Sequence, residues 1–180
     1  TKEDALKKAL ELIPEGSSIS WGGSMSIQEI GLTDAVKSGK YQVYERAAAK
    51  NPEEKRKIEL QAFDCDFFLA SSNAITEDGI LVNIDGNANR VAAIAYGPRN
   101  VLMIIGMNKV VRGQEEALSR AKYTAAPANA QRFSGTPCTV TGECAHCKSP
   151  ECICCQTMIT RYSKVPKRIK VILVNEDLGY

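Results

Sequence analysis

The sequence has little charge of either sign to spare. Its 23 Lys and Arg against 21 Asp and Glu leave a formal net charge of +2. A balance this near zero gives no whole-chain basis for binding nucleic acid or an anionic membrane surface. Aromatic residues make up 6%, few for a platform on which bases stack. Histidine occurs once, at His146, so no Ser-His-Asp or Cys-His arrangement can be drawn away from that position. A long apolar run is also missing: "VAAIAYGPRNVLMIIGM" is interrupted by "GPRN" and reads as two short buried strands, not a membrane helix. The opening "TKEDALKKALELIPEG" is charged and amphipathic, without the apolar stretch of a signal peptide. The chain does not open on Met, so its natural start is expected upstream. No repeat or low-complexity linker interrupts it. These absences predict a soluble, cytoplasmic protein with neither nucleic acid nor membrane as partner.

What is present suffices for one domain over residues 1–180, with 44% hydrophobic residues. Apolar spacing in "KEDALKKALELI" predicts a helix. A strand over 17–21 leads through "GGSM" to a helix with a capping box from Ser26 to Glu29. "NPEEKRKIELQAF" carries a cap-like Asn51 and a proline at the first helical position. "DFFLASS" reads as a buried strand, and residues 73–106 as three strand-like runs separated by turns at Asp78-Gly79, Asp85-Gly86 and Gly97-Pro98. "QEEALSRAKYTAA" is helical and expected to end before Pro127. A cysteine-rich segment at about 136–157 is an insertion before the last strand, 168–176. Helices alternating with strands, then hairpin-like pairs, argue an α/β protein with a mixed sheet between helices.

Three polar segments are candidate sites. In strand–"GGSMS"–helix, Gly22, Gly23 and Ser24 let backbone approach a ligand, and the free N–H groups of the following helix favour an anion; a tight turn needing positive φ is the plainer explanation. In "NAITEDGILVNIDGNANR", Asp78, Asn83, Asp85, Asn89 and Arg90 offer a carboxylate, amides and a guanidinium to a small polar ligand; two hairpin turns explain the same residues. A calcium loop is rejected, because Arg90 stands where glycine is needed. In "GMNKVV", Asn108 and Lys109 emerge at a strand end, where a lysine neutralises an anion or snorkels to solvent. The basic residues Arg161, Lys164, Lys167, Arg168 and Lys170 read as a solvated edge guarded by charge.

Six of the seven cysteines fall between Cys138 and Cys155. The close pair Cys144 and Cys147 can chelate one ion, because two intervening residues let both sulfurs face one point. Cys138 and Cys154 complete a four-thiol set suited to zinc or an iron–sulfur cluster, with Cys152 and Cys155 left over. The odd total and the crowding speak against a secreted disulfide framework.

Taken in order, "SWGGSMSIQEIGL", "SSNAITEDGILVNIDGNANRVAAIAYGPRNV", "GMNKVV", "AAPANAQR" and "PCTVTGECAHCKSPECIC" resemble the LUD-domain, or lactate-utilisation, family over nearly the whole chain. The resemblance implies a three-layer Rossmann-like sandwich of the NagB/RpiA/CoA-transferase-like type, a mixed sheet with an added hairpin. By that analogy Gly22, Gly23, Ser24 and Glu29 would join Asn73, Thr76, Asp78, Gly79, Asn83, Asp85, Asn89, Arg90, Asn108 and Lys109 in binding a small anionic metabolite, a carboxylate or phosphate. It also implies a cytosolic redox system oxidising lactate to pyruvate with iron–sulfur partner subunits, and matches Cys138, Cys144, Cys147 and Cys154 as the ligand set. Two departures stand out: Ala88 replaces a usual glycine, which matters only if its φ is positive, and Cys152 replaces a usual arginine. The alternatives are a CoA-transferase- or sugar-phosphate-isomerase-like enzyme using Asp78, Asp85 or Glu29 as base or nucleophile, and a non-catalytic assembly module braced by zinc.

Overall fold

The computed structural model describes residues 1–180. Along the chain run α1 (Lys2–Leu12), β1 (Ser18–Trp21), α2 (Met25–Glu29), α3 (Leu32–Ala35), β2 (Gln42–Tyr44), α4 (Pro52–Gln61), β3 (Phe67–Ala70), β4 (Ala74–Thr76), β5 (Leu81–Asp85), α5 (Asn89–Ala95), β6 (Asn100–Gly106), β7 (Val110–Val111), α6 (Gln114–Ser119), a π-helical segment (Arg120–Ala125), α7 (Ala126–Ala130), α8 (Pro137–Thr141), β8 (Gln156–Thr160) and β9 (Ile169–Val174). The class is α/β, as expected. Contacts divide the chain into two compact units, Thr1–Ser71 with Ala92–Asn108 and Ser163–Gly179, and Ser72–Val91 with Lys109–Tyr162 and Tyr180. No helix is long and apolar enough to cross a membrane.

The first unit is built on a parallel sheet ordered β2-β1-β3-β6-β9. Its inner strands β3 and β6 are buried almost throughout, which is why both read as unbroken apolar runs. One core gathers Ala5 and Ala9 of α1, Ile27, Leu32, Ile19, Leu69, Leu102 and Ile104. Asn51 caps α4, accepting from the Glu54 N–H at 2.8 Å, with Pro52 at the first position.

Three local expectations are corrected here. The cap of α2 is Ser24, whose Oγ accepts from the Ile27 N–H at 3.4 Å; Ser26 instead donates to the Leu178 carbonyl at 3.2 Å. "RVAAIAY" is helix α5 and not a strand: three alanines favour helix, and buried Val91 and Ile94 stand three apart on one face. Arg168 is no solvated edge charge. Its guanidinium donates to the carbonyls of Pro98 at 3.0 Å, Ile94 at 2.7 Å and Ala93 at 3.0 Å, closing the C-terminal turn of α5. Lys170 likewise donates to Asn100 Oδ1 at 2.6 Å.

The second unit holds a mixed sheet ordered β7-β4-β5-β8. The hairpin β4–β5 turns at Asp78-Gly79 as expected, with Gly79 at φ +90°. Strand β8, absent from the expected elements, pairs antiparallel with all five residues of β5, Asp85 opposite Gln156. Its "QTMIT" is short, and follows the cysteines without a turn signal. The helix after β7 does not end before Pro127. It passes through a π-helical segment, where the Ala126 N–H reaches five residues back to the Ala121 carbonyl, and Pro127 lies in the first turn of α7. A proline has no N–H to give and crowds the preceding turn; the wider turn accommodates it.

Candidate functional site

In the first unit the strand order is doubly wound, and the connections reverse between β1 and β3. Ligands of open α/β sheets sit outside the carboxyl ends of strands at such a switch point. Gly22, Gly23 and Ser24 follow the carboxyl end of β1 directly. Neither glycine has a positive φ, so left-handed geometry is not what requires them. A Cβ on Gly23 would lie 3.2 Å from Arg46 Nη2, the far end of a flexible side chain. Glu29 and Asn108 are both committed to the C-terminal segment. Glu29 Oε2 accepts from the Gly179 N–H at 3.0 Å, and Asn108 Oδ1 accepts from the Leu178 N–H at 3.2 Å.

In the second unit Asn73, Asn83, Asp85 and Arg90 are brought together. The Arg90 guanidinium donates to Asn83 Oδ1 at 3.0 Å, to Asn73 Oδ1 at 3.5 Å and to the Ile84 carbonyl, and its Nε lies 3.4 Å from Asp85 Oδ2. Its charge is therefore met within the cluster. Asn83 is fully buried, and its Nδ2 has no hydrogen-bond partner. An orphan buried donor costs about 1–3 kcal/mol. With Oδ1 fixed by Arg90, the amide is held with its donor side free for an acceptor. Thr76, Asp78 and Gly79 form the hairpin turn: Thr76 Oγ1 donates to Asp78 Oδ1 and accepts from the Ile80 N–H at 2.8 Å. Asn89 opens α5, and Lys109 is 4% exposed. Arg120, missed by sequence reasoning, donates to the Asn73 carbonyl, and burial lowers its pKa.

The cysteine segment closes on a cavity of about 220 Å³ whose wall includes Cys138, Cys144, Cys147, Cys152 and Cys154. All four expected ligands line one space, and Cys152 joins them. Local contacts position the sulfurs. Thr136 Oγ1 lies 3.1 Å from Cys138 Sγ, Gln131 Nε2 donates to the Cys138 carbonyl at 2.8 Å, and Cys154 packs against the core of Ala74, Val82 and Ile84. Cys152 Sγ is 3.3 Å from Cys154 Sγ and 3.8 Å from Cys155 Sγ. Burial first, then its neighbours Cys152, Cys144 and Cys147, push the Cys154 thiol up to about 12, while the Cys154 backbone N–H holds Cys152 low. Clustered soft sulfurs are the donor type that soft cations take. No three Cys, His, Asp or Glu side chains stand in metal-holding geometry. All seven cysteines are free thiols.

His146 also lines this cavity. Its Nδ1 is 3.1 Å from Lys122 Nζ and its Nε2 3.4 Å from the Tyr123 hydroxyl, and its φ is +51°. The segment also lies directly on the Asp85–Gly86 turn: a Cβ on Gly86 would come within 3.2 Å of Ile153 Cα. The thiols and the Asn83–Arg90 cluster, far apart in sequence, adjoin one strand. Only the glycine at 86 hinted at this, and it reads equally as a plain turn residue.

The LUD domain family matches residues 1–174. The chain belongs to the LUD-domain family. No curated protein sequence matches it significantly. Among solved structures, this LUD-domain chain is similar to a DUF162 family protein from Deinococcus radiodurans, at 12% identity and a TM-score of 0.43, covering 97% of this chain and 99% of that one. It is also similar to ribose 5-phosphate isomerase from Plasmodium falciparum (18% identity, TM-score 0.40, 62% of this chain and 52% of that one) and to eIF2B delta from Chaetomium thermophilum (18%, 0.43, 67% and 54%). The match thus spans about half the length of each of these last two.

Proposed function

We propose that this LUD-domain chain serves a cytosolic redox system of the lactate-utilisation kind, holding an iron–sulfur cluster or zinc in its thiol cavity. The observation that carries the reading is the convergence of Cys138, Cys144, Cys147 and Cys154 on one cavity. A bound cluster would supply one-electron transfer between lactate oxidation and iron–sulfur partner subunits; zinc would supply bracing alone. The chain's own part is to hold the sulfurs: Gln131 and Thr136 contact Cys138, and Cys154 packs against the core of Ala74, Val82 and Ile84. A small carboxylate or phosphate is the ligand class for the switch-point turn at Gly22–Ser24 and for the free donor of Asn83.

A specific observation favours the zinc-braced module over a CoA-transferase- or isomerase-like enzyme. The carboxylates such an enzyme would use are engaged elsewhere: Asp85 with Arg90, Asp78 in its turn and Glu29 with Gly179.

Anaerobic purification with metal and acid-labile sulfide analysis tests the reading. Iron with sulfide and a brown colour supports electron transfer, and one or more zinc ions in a colourless protein supports bracing. Protein free of any metal under these conditions rules the reading out.

A further inference from the structure

Strand β9 ends one side of the first unit's sheet. It is 6 residues long, against 3, 2 and 5 for the other edge strands β2, β7 and β8. Its inner rim pairs with β6 from Ile169 to Val174. The Val101 N–H donates to the Arg168 carbonyl at 2.8 Å, and backbone groups alternate sides along a strand. The N–H and C=O groups of Ile169, Val171 and Leu173 therefore point away from β6, where no further strand lies. Natural edges are blunted by outward charges, prolines or bulges. Here the charges turn inward: Arg168 closes α5 and Lys170 reaches back to Asn100. Pro166 precedes the strand and does not interrupt it. Ile172 and Val174 pack on the core, while Val171 and Leu173, on the opposite face, are 39% and 52% exposed. The flanks differ in sign. Exposed Lys164 and Lys167 lead into the strand, and exposed Asp177 follows it.

We propose that β9 is the pairing edge of a homodimer, receiving β9 of a second copy antiparallel about a two-fold axis through Ile172. An axis perpendicular to the sheet keeps each face on its own side. Val171 of one copy then lies opposite Leu173 of the other, and again with the copies exchanged. These are residues whose backbone groups point outward, so each such pair exchanges both of its N–H···O=C bonds. Their exposed apolar side chains cover one another on one face. The basic entry of one strand meets the acidic exit of the other, with Lys167 across from Asp177 at both ends. A parallel neighbour would set like charges side by side instead. The two sheets become one continuous sheet, and because the contact is the same on both copies, the assembly closes at two.

The dimer is independent of the thiols, and sedimentation equilibrium of the full chain in excess reductant, across a concentration series, tests it. A reversible monomer–dimer equilibrium is expected. Val171→Lys and Leu173→Lys, each at an exposed side chain, should leave a monomer with an unchanged circular dichroism spectrum. Lys167→Asp and Asp177→Lys should each raise the dissociation constant roughly tenfold, since the contact occurs twice per dimer. Combined in one chain they should restore it, which a folding defect would not do. A monomer at every concentration, a dimer that persists in both lysine variants at 171 and 173, or a combined variant no tighter than either single one overturns the proposal.

Discussion

Ala88 is a residue whose substitution should raise stability. It has a φ of +65°, a conformation that costs an L-residue roughly 1–2 kcal/mol and glycine almost nothing. Set against the extra freedom glycine has when unfolded, Ala88→Gly should gain about 0.5–1 kcal/mol. That corresponds to a melting temperature higher by roughly 1–4 °C for a chain of this size, read by calorimetry; an unchanged or lower value would mean that the turn relaxes around alanine. The sequence marks Ala88 as a departure from the family pattern but holds no sign of its φ, because dihedral angles follow from how β5 meets α5. Asn83 shows the same limit. Its amide is visible in the sequence, whereas its burial and its single free donor depend on Arg90 arriving from seven residues on.

At the scale of elements, Arg168 ties the loop before β9 to the end of α5. Arg168→Met keeps much of the apolar stem and removes donors to three carbonyls. Charged hydrogen bonds contribute about 1.5–3 kcal/mol each when their partners cannot rehydrate, and here water can reach part of the site. Urea denaturation should show a loss of about 2 kcal/mol; a loss below about 0.5 kcal/mol would mean that water replaces the guanidinium fully. Elements with a strong local signature were legible from sequence: α4 through Asn51-Pro52, the β4–β5 hairpin through Asp78-Gly79, and β3 and β6 through their apolar runs. Those set by tertiary partners were not. Helix α5 resembles a strand until the i, i+3 burial of Val91 and Ile94 is seen, and β8 acquires meaning only beside β5.

For the molecule as a whole, the thiol segment is the part whose stability depends on solution conditions. A ligand bound only by the folded chain stabilises it by RT ln(1 + [L]/Kd), roughly 2.7 kcal/mol at a hundredfold excess over Kd. Zinc should therefore raise the melting temperature of the reduced protein by about 5–11 °C, and a strong chelator should reverse the rise. A melt insensitive to both would separate the cysteines from folding. The clustering of these cysteines was legible because close spacing is itself the signal. That the set adjoins the Asp85 turn was not, since the contact is made by the bare face of Gly86. The π-helical stretch at Arg120–Ala125 bears on the same segment in another way. A π-helical turn takes up one residue more than the matching α-helical turn. Deleting a residue between Arg120 and Ala125 would restore the regular winding, but at 3.6 residues per turn it would swing everything beyond it by about 100°. Such a deletion would re-aim Cys138 and the cysteines that follow, and the thiol cavity with them.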